Sequence, residues 1–223
     1  MTIRSLRLAA SACLLITGVF VLPGCELVGG AIDNYKRDST HEVKGEYRGL
    51  EGKSFAVVVA VDRSIQAEHP GLVDFLTAKM TERLSAQGNV PRAGGFVPAD
   101  QVLKYLYNNP SWPTRPMADL AKALGGVQRL VYVEIVEYRL HEPGNAYEWD
   151  GVASGRVSVI ESDSPIPDDY AFDRTVAVKF PDKSGIGRDQ IDRSTATSAL
   201  AGRFIDRATW LMYDHQEPYY PEY

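Results

Sequence analysis

The chain is poor in the residue types that carry most enzyme chemistry. Four histidines, His41, His69, His141 and His215, are the whole supply across 223 residues, and none stands in His-Glu-x-x-His or another close metal spacing. A zinc site would need distant parts of the chain to converge. Cys13 and Cys25 are the only cysteines, too few for a disulfide framework. No serine stands in Gly-x-Ser-x-Gly, and there is neither a Cys-His pair nor a phosphate loop. Basic charge is also scarce. Against 29 Asp and Glu there are 24 Lys and Arg, a formal charge of -5, which excludes a whole-surface attraction to nucleic acid or anionic lipid.

The weak chemical signals reduce to turns and surface charge. Gly185-Ile186-Gly187-Arg188 is too short for a dinucleotide fingerprint and follows Pro181-Asp182-Lys183 rather than a strand, so it reads as a turn before a helix. His141-Glu142 with Asp168-Asp169 is the one combination that would gather an imidazole and several oxygens around a cation. Each half of it reads as a solvated turn. Glu134 and Glu137 share a predicted strand at an odd spacing, which places them on opposite faces and prevents a paired acidic site. No catalytic, cofactor-binding or metal residue is therefore assigned, and no cofactor.

What is present begins with a leader. Arg4 and Arg7 precede an almost unbroken apolar stretch from Leu8 to Leu22, closed by Pro23-Gly24-Cys25. About 15 apolar residues are too few to span a bilayer. The segment resembles a bacterial lipoprotein signal with Leu22-Pro23-Gly24-Cys25 as its lipobox, although proline at the second position departs from the usual small residue. The resemblance implies that residues 1–24 are removed as a signal peptide and that Cys25 becomes the acylated first residue. Palmitate-type chains would then hold the protein on the membrane, since two or three acyl chains anchor stably where one does not. Cys13 would leave with the leader, so no disulfide can form in the remaining 199 residues. Losing Arg4 and Arg7 moves the formal charge from -5 to -7. Glu26, beside the lipidated cysteine, favours the outer membrane with the body facing the periplasm.

Residues 25–52 read as a tether rich in Gly, Lys, Glu and Asp, and 53–223 as one domain ending in an aromatic tail. Ser54–Val61, Ser-Phe-Ala-Val-Val-Val-Ala-Val, predicts a central strand covered on both faces. Pro70–Gln87 predicts a helix with Leu72, Leu76, Met80 and Leu84 along one side. Two shorter helices are expected at 98–107 and 116–124, the second ended by Gly125-Gly126. Arg129–Tyr138 is a strand, with Val131, Val133 and Ile135 on one face. Alternation from Tyr147 to Val159 and from Phe172 to Phe180 predicts two antiparallel neighbours. A long helix from about 189 to 212, apolar through Leu200, Phe204, Ala208 and Leu211, closes the body. The expected fold is α/β: a mixed, mainly antiparallel sheet packed by the long C-terminal helix and an N-terminal helix.

With Ser54–Val61, the stretch Met117 to Tyr138, in which a helix ending in Leu124-Gly125 leads to the strand Arg129–Tyr138, resembles the periplasmic lipoprotein domains related to the TolB amino-terminal domain and the curli secretion lipoproteins. The likeness covers roughly residues 53–213. It implies work in the envelope, in secretion, export or surface assembly, through protein contacts. The curli-type proteins add membrane-spanning hairpins, and no pair of long lipid-facing strands is visible here.

Two stretches are candidate partner-binding surfaces. Tyr105, Tyr107 and Trp112, with Pro110 and Pro113, are expected to form a rigid aromatic ridge, since aromatic rings give contact area at small entropic cost. Tyr219, Tyr220 and Tyr223 crowd the tail, where docking on the domain competes with binding a partner. The function expected is a non-enzymatic, lipid-anchored interaction or assembly component of the envelope or export machinery, with an envelope protein as partner, homo-oligomerisation open and no nucleic acid. A periplasmic hydrolase with a non-motif site and a self-associating structural lipoprotein are the alternatives.

Overall fold

The computed structural model describes residues 39–86, 94–145, 147–182 and 185–218. Cys25, Tyr219, Tyr220 and Tyr223 lie outside the described residues. The chain divides into two compact units. The larger takes in residues 42–215 and holds a five-stranded sheet; a smaller one takes in residues up to 41 with 216–221. Thr40–Val43 (β1) and His215–Pro218 (β7) pair as a two-stranded ladder.

The larger sheet has the order β3-β2-β4-β5-β6, formed by Gly95–Phe96 (β3), Ser54–Val61 (β2), Arg129–Arg139 (β4), Gly151–Glu161 (β5) and Tyr170–Phe180 (β6). β2 runs parallel to β3 and β4, while β5 and β6 are antiparallel neighbours. Most paired residues are antiparallel, so the sheet is mixed and mainly antiparallel. Phe55 to Val59 are all buried, as a central strand with both faces covered requires.

The two faces are covered by different helices. Phe55, Val57, Val131, Val133, Val157, Val159 and Val178 point into a large core closed by Leu72–Ser85 (α2) and Arg193–Trp210 (α5). Leu72, Leu76, Met80 and Leu84 supply the stripe from α2; Leu200, Phe204 and Ala208 supply it from α5. Ala56, Val58, Leu130 and Ile160 point the other way, under Ala99–Asn108 (α3) and Met117–Ala123 (α4). Gly125 and Gly126, both at positive φ, end α4 as expected. A short helix at Arg63–Glu68 (α1), capped by the Asp62 carboxylate on Ile65 N–H at 2.8 Å, precedes α2 and has no counterpart in the sequence reading.

Three expectations change. Tyr47 and Leu50, counted with the tether, are buried in the large core, so the folded body starts before residue 53. Arg129 adds to this, donating Nε–H to Gly49 O at 2.9 Å. Glu134 and Glu137 share one face rather than opposite ones. Their partners across the ladder are Arg156 and Ser154, two apart on β5, because a bulge between Ile135 and Glu137 inserts Val136. Tyr147, read as part of an alternating strand, lies outside β5 and is exposed.

The register beside that bulge needs Gly155. A Cβ there would lie 2.7 Å from Glu134 O and 3.0 Å from the Phe204 ring, so the missing side chain lets α5 settle on the sheet.

Candidate functional site

The second face of the sheet is only partly covered, and aromatic side chains mark the boundary. Tyr132, on β4, sits half-buried beside the connection from α3 to α4, with Trp112 packed edge-on at 6.4 Å. Trp112 opens the 3-10 turn Trp112–Thr114 between the two helices, and together with Tyr105 it packs against the same core cluster. Tyr170, at the start of β6, is 41% exposed and has the Arg156 guanidinium 5.1 Å over its ring. Arg156 is held there by Asp173, which accepts from Nε and Nη2 at 2.6 Å each and from Ser158 Oγ at 2.9 Å. The result is an aromatic strip whose rim arginine is locked by a bidentate pair.

Electrostatics keep the Tyr132 phenol neutral. Burial, then the Glu134 carboxylate and neighbouring Tyr170, push the Tyr132 hydroxyl up to about 12. Tyr105 Oη accepts from Arg115 Nη1 at 3.2 Å. The loop from β5 to β6 is pinned beside the strip by Asp168, which accepts from Ala118 N–H at 2.9 Å, and it presents Ile166 to solvent. These groups offer flat apolar surface, hydroxyl donors and one fixed guanidinium. That is recognition chemistry.

Of the three ridge residues, the fold brings two together. Tyr105 and Trp112 pack with Tyr132 against one core cluster, whereas Tyr107 points to α2, donating its hydroxyl to Asp74 at 2.6 Å, which raises its pKa. On α3 a spacing of two residues turns side chains to different sides of the helix, so Tyr105 and Tyr107 cannot share a ridge. Tyr132 and Tyr170 were not singled out because three separate elements converge to place them beside Trp112. The available signal was Tyr132 itself, an amphipathic ring on the face that otherwise carries Leu130 and Glu134.

The proposed cation pairing does not assemble. Arg129 opposes Glu161 at one end of the β4–β5 ladder and Arg139 opposes Val152 at the other. His141-Glu142 and Asp168-Asp169 thus lie at opposite ends of strands roughly 36 Å long. Among the described residues no group of three or more His, Cys, Asp and Glu is placed to hold a metal ion. Gly185 sits at φ 87° and Gly187 is bridged to Glu148, with the turn itself at residues 188–190, where Gln190 N–H donates to Gly187 O at 3.1 Å. Among the described residues no helix is long and apolar enough to cross a membrane.

No family model matches the chain, and no curated protein matches it. Solved structures do. The PelC dodecamer from Paraburkholderia phytofirmans is 12% identical with a TM-score of 0.44, covering 78% of this chain and 97% of that one. Lipoprotein GNA1162 from Neisseria meningitidis is also 12% identical, with a TM-score of 0.43 and coverage of 67% and 94%. The hypothetical protein CT253 from Chlamydia trachomatis is 15% identical, with a TM-score of 0.40 and coverage of 74% and 94%. A specific tie to the TolB amino-terminal or curli secretion families is finer than these likenesses reach.

Proposed function

We propose that this protein is a non-enzymatic, lipid-anchored interaction component of the bacterial envelope, held by acylated Cys25 on the outer membrane and presenting its sheet to a periplasmic protein partner. The observation that carries the reading is the aromatic strip Trp112–Tyr132–Tyr170 with Arg156, set along the boundary of the uncovered half of the sheet. Aromatic and arginine side chains held in place by their own fold are the residues that dominate protein interfaces, because little entropy is lost when they are covered. The lipobox-like Leu22–Cys25 supports the anchor. The affiliation with TolB-amino-terminal and curli-type lipoprotein domains belongs to the same proposal, and rests on residues 54–61 and 117–138.

Capture of the full-length lipoprotein from membranes after mild in-cell crosslinking tests the reading. Cys25→Ala, Tyr170→Ser and Arg156→Gln serve as comparisons, each checked for folding by circular dichroism. A protein crosslinked to the wild type should be lost from the Tyr170→Ser and Arg156→Gln variants and from the unanchored chain. Undiminished recovery with both surface variants would sink the strip as the docking site. Recovery of this chain alone, sensitive to the same variants, would reassign the strip to self-association.

A further inference from the structure

A second feature lies at the opposite end of the β4–β5 ladder from the β5–β6 loop, and it is independent of the aromatic strip. Where β4 ends and α5 begins, a cavity of about 680 Å³ opens between His69, Arg139, Trp149, Arg188 and Arg193. That volume lies within the range of small-molecule sites. Its place, beyond the carboxyl ends of the parallel strands β2 and β4, is also where open sheets with helices on both faces leave a crevice.

The donors around it are underused. Arg139 is committed, through Nε to Glu137 at 2.8 Å and Nη1 to Asp150 O at 3.0 Å. Arg188 lies over the Trp149 ring at 4.9 Å and, among the described residues, hydrogen-bonds only to Asn145 O, at 3.4 Å. Among the described residues Arg193 reaches only Glu68 O, at 3.5 Å. Each guanidinium has five N–H donors, and among the described residues neither Arg188 nor Arg193 forms an ion pair. Two acids stand on the rim. Asp192 is spent as the cap of α5, accepting from Thr195 N–H at 2.9 Å and from the Ser194 and Thr195 hydroxyls at 2.6 and 2.9 Å. Both carboxylates still count against the three lining arginines, Arg139, Arg188 and Arg193, which leaves the lining with one net positive charge.

His69 supplies the independent observation. It is 9% exposed, its ring stands edge-on to Tyr138 at 4.7 Å, and among the described residues its imidazole has no hydrogen-bond partner. It lines both this cavity and an adjoining one of about 300 Å³ that also touches Arg193. An imidazole that is nine-tenths covered, opens onto a cavity and makes no hydrogen bond to the protein among the described residues is a polar group placed to meet a ligand beside the two guanidinia.

We infer that this groove binds a small organic anion, a carboxylate or phosphate carried on a compact body. Arg188 and Arg193 grip the oxyanion through their planar forks, His69 donates from the floor, and Leu140, Pro143 and the Trp149 side receive the less polar part of the ligand. A bare inorganic ion would leave most of the volume unfilled.

The full chain in an uncharged detergent, titrated by calorimetry at low ionic strength, tests this. The probes are D-glucuronate for a carboxylate, D-glucose 6-phosphate for a phosphate, D-glucose as the neutral analogue and sodium chloride as the screening control. One of the two anions should bind saturably where glucose does not, and its affinity should fall about tenfold in Arg193→Gln and in Arg188→Gln, the worth of one charge-assisted hydrogen bond. Whichever anion binds identifies the head group. Both arginines are exposed, so these variants keep the fold. Equal binding of glucose, saturation by neither anion, or affinity unchanged in both variants overturns the assignment. None of these outcomes depends on capture of a protein partner through Tyr170.

Discussion

Arg129 is the residue whose loss should be felt most at the start of the fold. Its side chain is 6% exposed and gathers three acceptors, Gly49 O at 2.9 Å, Gln128 O at 2.7 Å and the Asp163 carboxylate, with Glu161 adding an ion-pair contact at 3.6 Å. Glu161 in turn accepts from the Tyr47 hydroxyl at 2.8 Å, and Asp163 from Lys53 at 2.8 Å. Arg129→Met keeps the aliphatic stem and removes every donor. Breaking a buried ion pair costs about 3 to 5 kcal/mol, and because Glu161 and Asp163 are 27% and 34% exposed, water recovers part of it. A loss of about 3 kcal/mol is expected at neutral pH, read from urea unfolding by far-ultraviolet circular dichroism. Asp163→Asn should cost less. Lys53 first, then Arg129, hold the Asp163 carboxyl at about 2 against an ordinary 3.8, and screening at a group one third open to water reduces that shift to about 1 kcal/mol. The folded pKa is the lower one, so this stability is present above 3.8 and is lost as pH falls through about 2. The gap between wild type and Asp163→Asn should therefore close on acidification. An Arg129→Met loss below about 1 kcal/mol, or an Asp163→Asn gap that stays constant in acid, would refute the account.

Three further outcomes follow from single sites. Gly155→Ala places a methyl 2.7 Å from the Glu134 carbonyl, which belongs to backbone and cannot swing aside; a loss of about 1 to 3 kcal/mol is expected by urea unfolding, and an unchanged midpoint contradicts the packing. Thr77 Oγ1 is buried without a partner among the described residues, so Thr77→Val should raise stability by about 1 kcal/mol in thermal unfolding, and a loss would show that the hydroxyl is satisfied. Burial, opposed by Glu68, lowers the pKa of His69 from 6.5, so the unfolded chain binds its proton more readily. Stability should fall as pH drops below 6.5, and His69→Gln should flatten that part of the curve; identical slopes in the two proteins would rule out this linkage.

The sequence made the covered elements legible and the convergent ones obscure. Ser54–Val61 announces a buried strand because its run is short, β-branched and uninterrupted; α2 and α5 announce themselves because their apolar residues recur at helical spacing. Parity counting failed at Val136. It assumes an unbroken ladder, and one inserted residue moves Glu137 to the face of Glu134. Tyr47 and Leu50 carry no periodicity of their own and enter the core only because β2 and β4 stand ready to receive them. β3 is two residues long, below the length at which alternation can be seen. The candidate sites were harder still. Trp112, Tyr132 and Tyr170 come from a turn and two strands, and the groove's His69, Arg188 and Arg193 come from three stretches with no local motif in common.

Element length explains why the aromatic strip exists at all. α4 has seven residues and α3 has ten, whereas β4, β5 and β6 have eleven each. At 1.5 Å per helical residue and about 3.3 Å per strand residue, α4 covers roughly 10 Å of strands about 36 Å long. The uncovered half must tolerate water, and it carries Glu134, Arg156, Asp173 and Thr175. Tyrosine and tryptophan suit the line between the halves, since one side of the ring can be dry while the polar atom stays wet. A sealing role would account for Trp112 and Tyr132, which are half-buried against the core. It does not account for Tyr170, which lies largely beyond the helices and is nonetheless fixed under a guanidinium that is itself pinned by Asp173. Tyr170→Ser separates the two roles. A seal loses stability when it is cut, whereas a docking residue loses its partner while the unfolding midpoint stays where it was.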